Sequence, residues 1–301
     1  MPVLGSLDPE VPPPFGPRSV VRRVVAHPVT ALLVQRALVM DVAHPAVAAG
    51  VEHHSRFRAQ PLRRAWATAD VALRLTFGDD AVAREAVRQI YGVHDRIHGP
   101  LDGAGDYSAH DAALLAWVWA TLVDTAETGF TRWVRPFGDD EAAAFYAEMV
   151  GFGRFLGIPA DLLPPTRAAF ADYLESVLGR PELGSSATSA RMARQVLWYR
   201  HWTVPPAAVR VERVLALRTL DPRLLDRLGL HPGRTDAELG RRLDAVVGAA
   251  CRRLPRLPLG AHGLYVAVRR PTIGLGGRLL AAAGRNGSPP HGPARPELYE
   301  G

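Results

Sequence analysis

Between residues 19 and 283 the apolar positions recur at steps of three and four, the spacing of helices that bury one face. From Arg63 to Phe77 the repeat Trp66, Ala69, Leu73, Phe77 predicts a helix with that inward stripe. Gly78-Asp79-Asp80 interrupts it and offers an N-cap, and Val82, Val87, Ile90 and Ile97 predict a second helix over 81–97, stopped by Gly99-Pro100. A polar, glycine-bearing loop over 102–106 follows. Ser108 or Asp111 then caps a long helix to Val134, apolar round most of its circumference and so expected at the centre of the molecule. Further helices are expected from Asp139 to about Leu156 and over 164–178, 185–199, 206–220 and 235–254. Alternating β patterns are scarce. The expectation is an all-α, single multi-helix domain over 19–283, preceded by an extended proline-rich arm over 1–18 and followed by a disordered tail over 284–301. Gly179–Ser186 is the one candidate seam within it.

Composition narrows the chemistry. Hydrophobic residues make up 48% of the 301 and charged residues 22%, which is globular usage. The lone Cys251 leaves no disulfide framework, no thiolate metal cluster and no Cys-x-x-Cys-His haem attachment; a cytoplasmic location is the expectation. The net charge of +6 comes wholly from arginine, and 30 acidic residues are interspersed, so no nucleic-acid partner is expected. Uncharged stretches are too short for a membrane span. The sequence has no Gly-x-Ser-x-Gly or Walker loop, and Gly274-Leu-Gly-Gly277 is too short for a dinucleotide fingerprint.

Three constellations carry candidate chemistry. His94 and His98 in VHDRIHG stand four apart, which on one helix puts both rings on one face. That spacing serves a chelated metal or a haem iron held by one imidazole, and equally a buried polar histidine beside a surface one. The glutamate base of a His-Glu-x-x-His zinc helix is replaced here by Asp95. Arg64 and Thr68 also stand at i, i+4, where they can hold a carboxylate or propionate and support a bound oxygen species, or sit in solvent. Asp41-Val-Ala-His44-Pro45 opens a run of small residues, Ala46, Ala48, Ala49 and Gly50. That run permits close approach of a helix or a flat cofactor, with His44 as a further cofactor-binding candidate.

VAHPAVAAGVEHHSRFRAQPLRRAWAT, FGDDAVAREAVRQIYGVHDRIHG and Tyr107-Ser-Ala-His-Asp ahead of LLAWVWATLVDTA together resemble the MpaB / latex-clearing-protein (rubber oxygenase) catalytic-domain family. Phe152-Gly-Arg-Phe-Leu-Gly157 and Pro164-Pro165-Thr166 extend the likeness, which covers about residues 19 to 230. The resemblance implies globin-like helical packing around a non-covalent haem b, whose iron serves dioxygen-dependent cleavage of a hydrophobic, isoprenoid alkene. It implies His94 as iron ligand, with His98 as the alternative, and Arg64 and Thr68 beside the haem as catalytic and cofactor-binding residues. Rubber oxygenases carry a lysine one residue before the threonine. Ala67 stands there instead, which argues against rubber itself as substrate and for an open or water-filled sixth position. Glu52 and Asp124 are the carboxylates available as a base. The alternative is a non-catalytic haem- or lipid-binding helical protein, or a haem-free scaffold.

Overall fold

Capping residues set the helix starts. Asp79, Asp111, Thr166, Ser186 and Asp221 each accept a hydrogen bond from a backbone N–H in the first turn that follows, satisfying donors that a helix leaves open. In the computed structural model, residues 10–54, 61–101, 105–200 and 204–253 are described, with 61–67 as backbone alone. In order they form α1 (Val20–Val25), a 3-10 helix (Pro28–Leu33), α2 (Val34–Ala43), α3 (Pro45–His54), α4 (Pro61–Phe77) and α5 (Asp80–His94). A hairpin of β1 (His98–Leu101) and β2 (Gly105–Ser108) follows, then α6 (Ala112–Trp133) and α7 (Asp139–Phe155). After a 3-10 turn (Ala160–Leu162) come α8 (Arg167–Gly179), α9 (Ala187–Leu197), α10 (Pro206–Thr219), α11 (Pro222–Leu228) and α12 (Arg234–Arg253). The fold is all-α, with one antiparallel hairpin among the described residues, His98 facing Ser108 and Leu101 facing Gly105. No single helix among the described residues is long and apolar enough to cross a membrane.

α6 is the central helix that its apolar circumference predicts. Ala116, Trp119, Ala120 and Val123 join one core built with α1, α4, α5, α7 and α8, while Trp117 joins a second core with α2, α3 and α8–α11. The indoles stay satisfied inside: Trp119 Nε1 donates to the Met149 carbonyl at 2.7 Å and Trp117 Nε1 to that of Met40 at 3.2 Å. α2 is pinned to α6 by buried Arg36, which donates to Asp124 at 2.5 Å, to Thr125 at 2.7 Å and to the Thr219 carbonyl at 3.1 Å. A buried guanidinium is tolerated only with such partners.

Contacts bear on the candidate seam and on the arm. The 179–186 segment is no seam: Leu183 is buried in the second core, and the Gly184 N–H donates to the Ala43 carbonyl at 2.8 Å. Gly184 has φ +82° and a Cβ there would lie 3.1 Å from Leu224, so the close turn requires glycine. The arm, as far as residue 10 onward, lies on the domain, with Phe15 buried 5.4 Å from the ring of Phe152. The 284–301 tail and Gly274–Gly277 lie outside the described residues.

Candidate functional site

The end of α5, the hairpin and the start of α6 converge on one histidine. α5 stops at His94, where the Asp95 N–H still reaches the Tyr91 carbonyl at 2.9 Å and the Ile97 N–H turns back to that of His94 at 3.0 Å. The chain then enters β1, so the helix over 81–97 ends three residues early. The expectation that His94 and His98 share a helix face is thereby corrected. His98 is an exposed strand residue whose carbonyl lies 3.1 Å from His54 Nε2. The local sequence carries the reason: Ile97 and Leu101 find an apolar partner in Tyr107 and α3, which a straight helix would deny them.

β2 returns the chain to Asp111, the α6 cap, and sets His110 next to His94. Their ring centroids lie 6.0 Å apart at an interplanar angle of 79°, edge to face. His110 Nε2 is 2.8 Å from Asp95 Oδ1, and its other flank stacks on Tyr91 at 5.7 Å and 29°. Tyr91 is itself anchored through its hydroxyl to the Leu156 carbonyl at 3.1 Å. His110, Asp95 and Tyr91 are the neighbours that sequence reading missed. Asp95 and Tyr91 are local to His94 at the end of α5, but the sixteen residues from His94 to His110 give no periodic signal, and only the hairpin brings His110 to them.

Desolvation dominates the electrostatics of His94. Surrounding protein pulls its pKa down to about 4, nearby His110 pushes the same way, and Asp95 opposes. The imidazole is therefore neutral at neutral pH. Part of its surface remains accessible, and among the described residues no hydrogen bond reaches either ring nitrogen. Among those residues, too, no three His, Cys, Asp or Glu side chains converge as a metal cage.

α4 lies against α5 with a stripe other than the one expected. Val71, Arg74, Leu75 and Phe77 are buried, whereas Ala69 and Leu73 are only half-buried; of the predicted face, Phe77 alone is buried, and the Trp66 side chain lies outside the description. The cause is the apolar core of α5, α6 and α7, which takes Val71 and Leu75. Helical spacing runs this stripe back through 68 and 64 at steps of three and four. Thr68 is exposed, and the Arg64 side chain lies outside the description.

His44 stands at a corner where the chain bends by 106° from the Pro28–Ala43 segment into α3. Its Nδ1 accepts from the Ala46 N–H at 3.3 Å, so the ring caps α3, and burial lowers its pKa, partly offset by Asp111. The small residues beyond it seat the hairpin. A Cβ on Gly50 would lie 3.3 Å from Ile97 and 3.5 Å from Tyr107, and Ala46 and Ala49 pack on the same tyrosine. The expected close approach is made here by Tyr107. Both carboxylates considered as bases are engaged, Glu52 with Arg191 at 2.7 Å and Asp124 with Arg36 at 2.5 Å.

A family model described as "ER-bound oxygenase mpaB/B'/Rubber oxygenase, catalytic domain" matches residues 22–249. Comparison with the curated proteins gives no match, and comparison with the solved structures gives none.

Proposed function

Because the chain belongs to the mpaB/B′ and rubber oxygenase catalytic-domain family, we propose that it is a haem b-dependent oxygenase acting on a hydrophobic, isoprenoid-type alkene. The observation that carries this reading is His94, a neutral imidazole largely enclosed by protein yet still partly accessible, with no hydrogen bond to either nitrogen among the described residues. One such ligand is what a haem iron asks of a protein, since the macrocycle brings the other four nitrogens. The donor set therefore fits haem, whereas a bare divalent ion would need several protein ligands. When bound, haem supplies the dioxygen chemistry that side chains cannot.

The chain's own residues bind, orient and exclude water. His94 is the proposed ligand. Arg64, one turn before Thr68 on α4, is proposed to hold an anionic propionate in a two-pronged ion pair, and the exposed Thr68 to offer its hydroxyl to a bound oxygen species. Tyr91 and the core of α5, α6 and α7 supply the apolar side, which suits an alkene and keeps water out. Glu52 and Asp124 are unsuited to act as bases, because each carboxylate is held by an arginine. Ala67 leaves no lysine near Thr68, which favours a small isoprenoid over a rubber chain and an open sixth position.

Purification from haem-supplemented cells, or addition of hemin, tests the reading. A Soret band is expected, and acidified butanone should extract the pigment, since the sole cysteine gives no thioether anchor. Oxygen uptake with a prenylated alkene should follow. A protein that takes up no hemin overturns the proposal. Hemin retention without oxygen uptake would assign the site to binding rather than turnover.

A further inference from the structure

Histidine ligands usually take their orientation from a hydrogen bond at the second ring nitrogen. His94 has none among the described residues, although a terminal sp3–sp2 torsion such as its χ2 is soft. Its ring plane must therefore be set by packing. The aromatic neighbour in contact is His110, edge to face at 6.0 Å and 79°.

His110 is itself clamped. Asp95 and Tyr91 stand four apart on either side of His94 in sequence, at the C-terminal end of α5. Asp95 Oδ1 takes the Nε2 edge of His110 at 2.8 Å, and the Tyr91 ring stacks on its face. The root of the side chain is fixed as well, by the His110 N–H donating to Ser108 Oγ at 3.2 Å and by Asp111, the α6 N-cap, one residue later. The His94 ring therefore lies against an imidazole that is held at its edge, on its face and at its root.

We infer that His110, held by Asp95 and Tyr91, is a positioning residue that fixes the plane of the His94 ring for ligation. The inference rests on the proposed role of His94 as iron ligand. It adds that this chain orients the ligand by an aromatic edge contact in place of a hydrogen bond. Its chemical consequence is that His94 would offer its nitrogen for ligation in a single ring plane, which a freely turning ring would lack.

The test compares hemin-loaded wild type with His110→Ala, His110→Phe and Asp95→Ala. In the cyanide complexes, the spread of the hyperfine-shifted haem methyl resonances reports the imidazole plane. His110→Ala is expected to change that pattern and to weaken hemin binding by about tenfold or more, the usual cost of losing a ligand's outer partner. His110→Phe, which keeps a ring between Tyr91 and His94, should return the pattern towards wild type. Asp95→Ala should shift it less than His110→Ala does. In the haem-free proteins the carbon-bound ring protons of His94 should lose a ring-current shift in His110→Ala and keep it in His110→Phe, which also verifies that each variant is folded. An unchanged methyl pattern in His110→Ala with hemin retained overturns the inference and leaves the haem reading standing. Failure of wild type to take up hemin overturns both.

Discussion

At the scale of single residues, the two histidines of VHDRIHG part company. His94 is enclosed and neutral, with its pKa drawn to about 4 by desolvation, whereas His98 lies exposed on a strand. Replacing His94 by alanine is expected to abolish hemin retention, while His98→Ala should keep most of it; absorption spectra after gel filtration decide. Equal small losses would remove the ligand role from both. By helical spacing Arg64 and Thr68 fall in line with buried Val71 and Leu75 on α4, and Thr68 is exposed. Thr68→Ala should leave stability unchanged or raised by ~0.5 kcal/mol, because alanine is the better helix former. It should retain hemin and lower oxygen consumption with a prenylated alkene. Arg64→Ala should weaken hemin binding by about 1.5–3 kcal/mol, the range for a hydrogen bond to a charged group. Wild-type hemin content and oxygen uptake in both would make the pair a solvated surface feature.

At the scale of elements, capping and periodicity foretell α6, α7, α9 and α10 to within about two residues, because each carries its own start signal or a sustained apolar repeat. The α5 end and the hairpin escaped because Ile97 and Leu101 have a helical spacing as well as a partner in Tyr107, and only the second is realised. α12 is docked by a different device. Asp244 accepts from Arg132 at 2.8 and 2.5 Å, from Trp133 Nε1 at 2.7 Å and from Arg218 at 3.1 Å. Chiefly the Arg132 bonds, against the opposing effect of burial, hold its pKa at about 2 in place of 3.8. A carboxylate depressed in the folded state stabilises it above the ordinary value and loses that contribution as pH falls through the folded one. Between pH 4 and pH 2 the α6–α12 contact should therefore weaken, read from the fluorescence of buried Trp133. Asp244→Asn should already show the weakened contact at pH 7 and a flatter response below pH 4. An identical acid profile would remove Asp244 from that role.

At the scale of the whole molecule, hemin that binds the folded chain alone must stabilise it. At free hemin a hundredfold above its Kd the gain is about 2.7 kcal/mol, visible as a rise in Tm that His94→Ala should abolish. A Tm indifferent to hemin in the wild type would speak against a specific site. The sequence by itself determined the all-α class, the central place of α6, most helix starts and the family. The class, the place of α6 and the helix starts follow from residues within one helix length of one another, through periodicity, caps and apolar circumference; the family follows from the ordered series of motifs. It also singled out His94, Arg64 and Thr68, though by resemblance and spacing rather than by contact. Tertiary packing was needed to settle which face of α4 is buried, that His98 leaves the helix, that Tyr107 fills the groove over Gly50, and that His110, clamped by Asp95 and Tyr91, meets His94. Those outcomes depend on which surfaces meet after the chain turns back on itself at the hairpin. A soft imidazole torsion and an amphipathic helix with two workable stripes take their final state from the neighbour they are packed against, and no local pattern names that neighbour.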